Sequence, residues 1–153
     1  MTRIMFVCHG NICRSPMAEF IMKDILKRQG VADRFTVMSS AVSAEELGNP
    51  VYPPARAELA KHGIASGGKY AVRLITADYA KYDYIIGMDR SNLSGIMRII
   101  GADPEQKVHL LLDFTDSPHD VADPWYCGKF DVTYSDIYSG CQALLEHILQ
   151  NRE

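Results

Sequence analysis

The chain has 153 residues, 47% hydrophobic, 23% charged and 9% aromatic. Domains commonly run to roughly 100–200 residues, so this length fits one compact core and excludes two substantial catalytic domains. Its 16 basic and 19 acidic side chains give a net charge of −3, and with both signs scattered no basic run marks a nucleic-acid or anionic-membrane footprint.

Ile4-Met5-Phe6-Val7 is a continuous apolar run, the pattern of a strand covered on both faces, and it ends at Cys8-His9-Gly10-Asn11. A helix is predicted next, with Ser15 as its cap, Pro16 in first position and Met17, Phe20, Ile21 and Ile25 at helical spacing until Lys27, Arg28 and Gly30. Phe35 to Val42 reads as a strand and Ala55 to His62 as a helix stopped by Gly63. Tyr84-Ile85-Ile86 is another buried strand, and Asp89 caps a helix to about Ile100. Val108 to Leu112 supplies a further strand. The last helix carries Ile137, Cys141, Leu144, Leu145 and Ile148 on one stripe, with Asp131 or Thr133 near its start. Strands alternating with helices predict a parallel sheet covered on both faces, with ligands at the strands' carboxyl ends. Two polar loops, Ser43 to Pro54 and Asp113 to Lys129, are long for a compact domain.

No apolar stretch approaches the roughly 20 residues of a membrane span, and Met1-Thr2-Arg3 leads straight into the first strand without an export signal. A soluble, cytoplasmic protein with reduced thiols is expected, so Cys8, Cys13, Cys127 and Cys141 are not read as a disulfide framework. Cys8, His9 and Cys13 fit no common zinc spacing, so no metal or other cofactor is expected. Gly63 to Lys69 has the form Gly-x4-Gly-Lys, but Tyr70 replaces the hydroxyl residue and a helix precedes it, so it reads as a turn.

The chemistry concentrates in Cys8-His9-Gly10-Asn11-Ile12-Cys13-Arg14-Ser15, which has the form Cys-x5-Arg-Ser between a strand and a helix start. A loop wrapped at a helix N-terminus turns successive N–H groups inward and makes an anion site suited to phosphate. Gly10 and Asn11 tolerate left-handed backbone, and Arg14 offers a planar fork for two oxygens. The same field favours the thiolate of Cys8, the nucleophilic form. What the loop lacks is a general acid.

Val7 to Pro16 resembles the signature loop of the low-molecular-weight protein tyrosine phosphatases. Gly87-Met88-Asp89 followed by Asn92, and Asp123-Pro124-Trp125-Tyr126, resemble further family segments in the expected order, so the likeness spans essentially the whole chain. The resemblance implies a three-layer α/β/α fold, flavodoxin-like, with a mostly four-stranded parallel sheet, and one catalytic domain over residues 1–153. It implies hydrolysis of phosphotyrosine through a phosphocysteine on Cys8, with Arg14 and the loop from His9 to Ser15 binding phosphate and Asp123 as leaving-group acid. Ser15 is expected to donate to the thiolate, and Asn11 to hold the loop in shape. Pro124 restricts Asp123 to an extended conformation, as a positioned acid requires. Trp125 and Tyr126, with Ile12, are expected to flank the phenyl ring. Cys13 is implied as a reversible disulfide partner for Cys8. Cys141 reads as core, and Cys127 receives no role. The implied partners are phosphotyrosine-containing proteins, a bacterial tyrosine kinase among them, with the chain a monomer or weak dimer.

The chain departs from many relatives in the stretch Ala44-Glu45-Glu46-Leu47, where an aromatic usually forms one wall of the cleft. This resembles a bacterial branch, and with Glu45 it makes that wall less apolar and more acidic. His9 adds a polar or cationic edge at the mouth, or is a solvated ring. Arsenate reductases of the same fold use additional cysteines in a middle segment, and none lies between Cys13 and Cys127. Protein arginine phosphatases typically carry threonine where Ile12 stands. A non-catalytic phosphate-binding module would not need nucleophile, arginine and acid together.

Overall fold

The computed structural model describes residues 1–151. In chain order it contains β1 (Thr2–Cys8), α1 (Arg14–Arg28), β2 (Phe35–Ala41), α2 (Pro53–Lys61), α3 (Asp78–Lys81), β3 (Tyr84–Gly87), α4 (Arg90–Ile100), β4 (Val108–Leu110), α5 (Pro124–Cys127) and α6 (Phe130–Gln150). The strands form one four-stranded sheet, ordered β2-β1-β3-β4, and every neighbouring pair is parallel.

β1 shows why the apolar run at the chain's start has no polar interruption. Ile4, Phe6 and Cys8 belong to the core shared with α1, α2 and α6, whereas Met5 and Val7 pack on the other face with Leu74, Tyr82, Ile85 and Ile96. A central parallel strand buries both faces, so alternation disappears and the side chains are apolar throughout. The predicted α/β/α layering is the observed one. After β2 the chain returns across β1 to form β3, so the strand order reverses beside the carboxyl end of β1. Crevices form at such points, and this one receives the loop beginning at Cys8.

Element boundaries shift in instructive ways. α1 begins at Arg14, with Cys13 at the cap position and no side-chain cap, so Ser15 is not the predicted N-cap. The loop winds directly into the helix, Met17 N–H donating to the Cys13 carbonyl at 3.0 Å, and Pro16 still falls in the first turn, where no intrahelical N–H partner is lost. α2 starts on the two prolines before Ala55. β4 stops at Leu110, and Leu111–Phe114 turn into a 3-10 helix. Asp89 does cap α4, in a capping box with Asn92. α6 approaches the 3-10 turn so closely that a Cβ on Gly140 would lie 2.5 Å from Leu111 Cγ. Short α3 and α5 fall in stretches without a full helical period and were not predicted. No described helix is long and apolar enough to cross a membrane.

Candidate active site

β1 delivers Cys8 to the carboxyl edge of the sheet, and residues 9 to 13 wrap from it into α1. Asn11 takes the left-handed conformation, φ 62°, which costs most residues roughly 1–2 kcal/mol but asparagine less. Gly10 does not have positive φ. Its missing Cβ matters for another reason, since one would sit 3.1 Å from Glu46 Cγ, where the neighbouring loop packs against the cradle.

The Asn11 side chain holds the strained residue from three directions. Its Nδ2 donates to Ser15 Oγ at 2.8 Å and Ser39 Oγ at 3.0 Å, and its Oδ1 accepts from the Val72 N–H at 3.1 Å. Having accepted from Asn11, the Ser15 hydroxyl has one proton to give, and Cys8 Sγ lies 3.0 Å away, nearer than the Ser40 carbonyl at 3.4 Å. The Ser15 backbone N–H also points at the sulfur, at 3.4 Å. Behind this sits buried Glu19, which accepts from Ser39 Oγ and from Lys23 Nζ, each at 2.6 Å. Lys69 Nζ lies 3.8 Å from Glu19 and donates to the Ser39 carbonyl at 2.8 Å. The Gly-x4-Gly-Lys stretch is a turn as predicted, but its lysine points inward and braces the cradle from behind.

Arg14 is 3% exposed. Its Nη1 donates to Asp89 Oδ2 and to the Val121 carbonyl, both at 2.8 Å, and its Nη2 lies 3.6 Å from Asp123 Oδ2. Asp89 thus serves α4 with one oxygen and orients the guanidinium with the other. Burial disfavours the charged guanidinium, but Cys8, Asp89 and Asp123 outweigh it and hold Arg14 above its ordinary value. Burial, followed by the negative charges of Cys8 and Asp123, pushes the Cys13 thiol up to about 12. Asp123 is extended, φ −80° and ψ 110°, and its Oδ1 caps α5 by accepting from the Trp125 N–H at 3.0 Å. The remaining oxygen faces the cradle.

One cleft is lined by Cys8, His9, Gly10, Ile12, Cys13, Arg14, Glu45, Glu46, Asp123, Trp125 and Tyr126. Asn11 and Ser15, the other sequence-predicted site residues, are buried behind the loop. Trp125 and Tyr126 are 54% and 86% exposed, so they stand at the rim instead of in the core. Trp125 leans on Tyr52, ring centroids 4.7 Å apart, and the Tyr52 N–H donates to the Ile12 carbonyl at 2.8 Å. Opposite, Val42 and Ser43 N–H groups donate to the Cys8 and His9 carbonyls, both at 3.0 Å, and bring Glu45 Oε2 to 3.1 Å from His9 Nε2. Among the described residues no group of three or more His, Cys, Asp or Glu could hold a metal ion.

A family model described as "Low molecular weight phosphotyrosine protein phosphatase" matches residues 3–153. The chain belongs to that family. It is 33% identical over 155 residues to the low molecular weight protein-tyrosine-phosphatase YfkJ of Bacillus subtilis, covering 100% of this chain and 99% of the relative. The crystal structure of YfkJ superposes with a TM-score of 0.96, covering 100% of this chain and 98% of that one. PtpA of Staphylococcus aureus strain MRSA252 is 36% identical over 154 residues, covering 99% and 96% of the two chains. A Drosophila arginine phosphatase structure, 26% identical, superposes with a TM-score of 0.88 over 99% of this chain and 100% of that one.

Tyr52, Glu19 and Ser39 are not among the sequence-predicted candidates, Lys69 is read only as part of a turn, and Asp89 only as a helix cap within a family segment. For Glu19 a signal existed, since a carboxylate among Ser15, Met22 and Leu26 lies on the buried stripe of α1. Asp89 and Lys69 reach the cradle only through tertiary contact, and neither the capping pattern at Asp89 nor the turn before Lys69 indicates it.

Proposed function

We propose that this chain hydrolyses phosphotyrosine in proteins by two in-line phosphoryl transfers. The Cys8 thiolate attacks phosphorus and forms the S–P bond, while the P–O bond breaks and its electron pair leaves with the tyrosine oxygen. Asp123 protonates that oxygen. Water then attacks the phosphocysteine and gives its proton to the Asp123 carboxylate, the S–P bond breaks, and inorganic phosphate departs with the thiolate restored. Loop N–H groups and Arg14 hold the equatorial oxygens throughout, and donors fixed before the reaction stabilise spreading charge without reorganising.

The observation that carries this reading is the Arg14 guanidinium, held by Asp89 and Val121 at 2.8 Å and facing Asp123 at 3.6 Å, in the same cleft as Cys8. Nucleophile, phosphate fork and acid converge there, which a phosphate-binding module has no need to build. Ile12 beside Trp125 and Tyr126 makes a partly apolar mouth suited to a phenyl ring.

In this reading residues 1–153 act as one cytoplasmic catalytic domain, a monomer or weak dimer, whose substrates include a bacterial tyrosine kinase. Cys8 and Cys13 are both free and both line the cleft, so mild peroxide should join them in a disulfide that a thiol reverses. Mass spectrometry showing sulfinic Cys8 and no such link removes that protective role.

The deciding experiment compares turnover of phosphotyrosine, phosphoserine and phosphoarginine peptides in the presence of a chelator, with arsenate reduction as a control. Phosphotyrosine should be turned over fastest and Cys8→Ser should be inactive. Preference for phosphoarginine moves the chain to the activity named for its Drosophila neighbour, and activity surviving in Cys8→Ser removes the mechanism.

A further inference from the structure

The cleft's two walls differ in chemistry. Trp125 and Tyr126 form an aromatic side, and Glu45 and Glu46 an acidic one. Counting the acid Asp123, three carboxylate residues line a cleft that must admit a phosphate, and the cations lining it are Arg14 and, when protonated, His9. Arg14 is buried and committed to Asp89 and the cradle, so it does not neutralise the rim. Carboxylates beside an incoming phosphate repel it, and nothing in the phosphoryl transfer uses Glu45 or Glu46.

The acidic wall is nevertheless built with care. Glu46 packs its stem against Gly10, where even one methyl group would sit at 3.1 Å, and its Oε1 accepts from Asn49 Nδ2 at 2.9 Å. Gly48 N–H donates to the Ala71 carbonyl and Ala71 N–H to the Asn49 carbonyl, at 2.9 and 2.8 Å, tying the turn to the segment that also holds Asn11 through Val72. The charge of Glu46 reaches the cradle, where it is among the groups that raise the Cys13 thiol. A wall so anchored holds its charge at a fixed place beside the entering residue.

We propose, resting on the phosphotyrosine reading above, that Glu45 and Glu46 are specificity-determining residues that select phosphotyrosine flanked by lysine or arginine and reject acidic flanks. A flanking cation on the substrate supplies the neutralisation that the rim lacks, and a flanking carboxylate adds to the repulsion, so the wall discriminates in both directions. His9, 3.1 Å from Glu45 Oε2, caps one of the two charges and leaves Glu46 as the stronger determinant.

The test measures kcat/KM on phosphotyrosine peptides identical except for arginine, alanine or aspartate flanks, at low and high ionic strength, with para-nitrophenyl phosphate as a flankless substrate. Exposed ion pairs are individually weak, so arginine flanks should exceed alanine by about three- to tenfold and aspartate should fall below it, with the spread shrinking at high salt. In Glu45→Gln/Glu46→Gln the arginine-to-aspartate ratio should collapse towards one, and in Glu46→Lys it should invert. Ratios are taken within each variant, so a change in overall rate does not obscure them. Turnover of para-nitrophenyl phosphate with no ranking among the peptides, or a ranking unchanged in both variants, overturns this proposal alone. No turnover of para-nitrophenyl phosphate overturns the phosphatase reading and this one with it.

Discussion

The floor of the cleft and its rim lie in contact but are built on opposite principles. On the floor, Asn11, Arg14 and Ser15 are 1%, 3% and 0% exposed, and Asn11 alone makes three side-chain hydrogen bonds to residues distant in sequence or across the loop. At the rim, Tyr126 is 86% exposed and Trp125 leans on a single ring. Buried polar groups must be satisfied, so each of these three residues is specified by several partners and a change to one disturbs the rest. Rim residues answer mainly to solvent and substrate. On the proposed mechanism, chemistry and selectivity therefore occupy separate structural regimes, and each should yield to perturbation without the other.

The strongest way to break that division is at Asp123, which stands between the two. Asp123→Asn should lower kcat by about 10²–10⁴-fold for a poor leaving group such as tyrosine and much less for a good one. Equal losses on para-nitrophenyl and phenyl phosphate would remove the acid role and leave Asp123 as a cap for α5 only.

Next comes Asn11→Ala, which leaves a left-handed residue without its three anchors. Removing partners from buried donors and acceptors costs roughly 1–3 kcal/mol, so urea denaturation should show a loss of that size together with a fall in kcat. Activity lost with stability intact would show that the loop rearranges locally and the floor is less cooperative than its bonding suggests.

Cys13 gives the floor a pH signature. Its thiol stays protonated to about 12 when folded, whereas the unfolded chain's thiols ionise from roughly 8.5 upward. The unfolded state thus binds fewer protons in that window, and stability falls as pH rises through it, by up to about 1.4 kcal/mol per pH unit. Buried Cys141 and several tyrosines are raised too, so the readout is the difference between wild type and Cys13→Ala in urea midpoints at neutral and alkaline pH. The variant should show the shallower decline, and identical slopes would mean water reaches the Cys13 sulfur.

The smallest effect is expected at the rim. Trp125→Ala forfeits aromatic contact worth about 0.5–1.5 kcal/mol beyond area, so KM for a phosphotyrosine peptide should rise a few-fold with kcat nearly unchanged and the melting temperature unmoved. A kcat loss on the scale of Asp123→Asn would show that Trp125 positions the acid loop, and the rim would then belong to the floor.

Particular residues show why the sequence was readable to different depths. The loop from Cys8 to Ser15 was legible because its function depends on a local sequence of conformations, strand to left-handed turn to helix, and consecutive residues carry that information. Asp123-Pro124 was legible for the same reason, since proline acts on the residue beside it. Ser15 fits a helix cap by position but is not one, whereas the bond to Cys8 that the family resemblance implied is the contact its hydroxyl makes, at 3.0 Å. Asp89 was read by its helix-capping chemistry, which is correct, while its second oxygen serves Arg14, 75 positions away in sequence.

By itself the sequence determined the parallel α/β architecture, through apolar runs and helical stripes that a two-sided sheet requires, and it set Cys8, Arg14 and Asp123, the proposed nucleophile, phosphate fork and acid, in recognisable local settings. Tertiary structure alone decided what surrounds them. Asp89 behind Arg14, Glu19 and Lys69 behind Ser39, and Glu46 against Gly10 are juxtapositions of segments from different strands and turns. Such contacts are fixed by how the crossovers return each chain segment to the sheet's carboxyl edge, and a side chain's partner across that edge leaves no imprint on its neighbours in sequence.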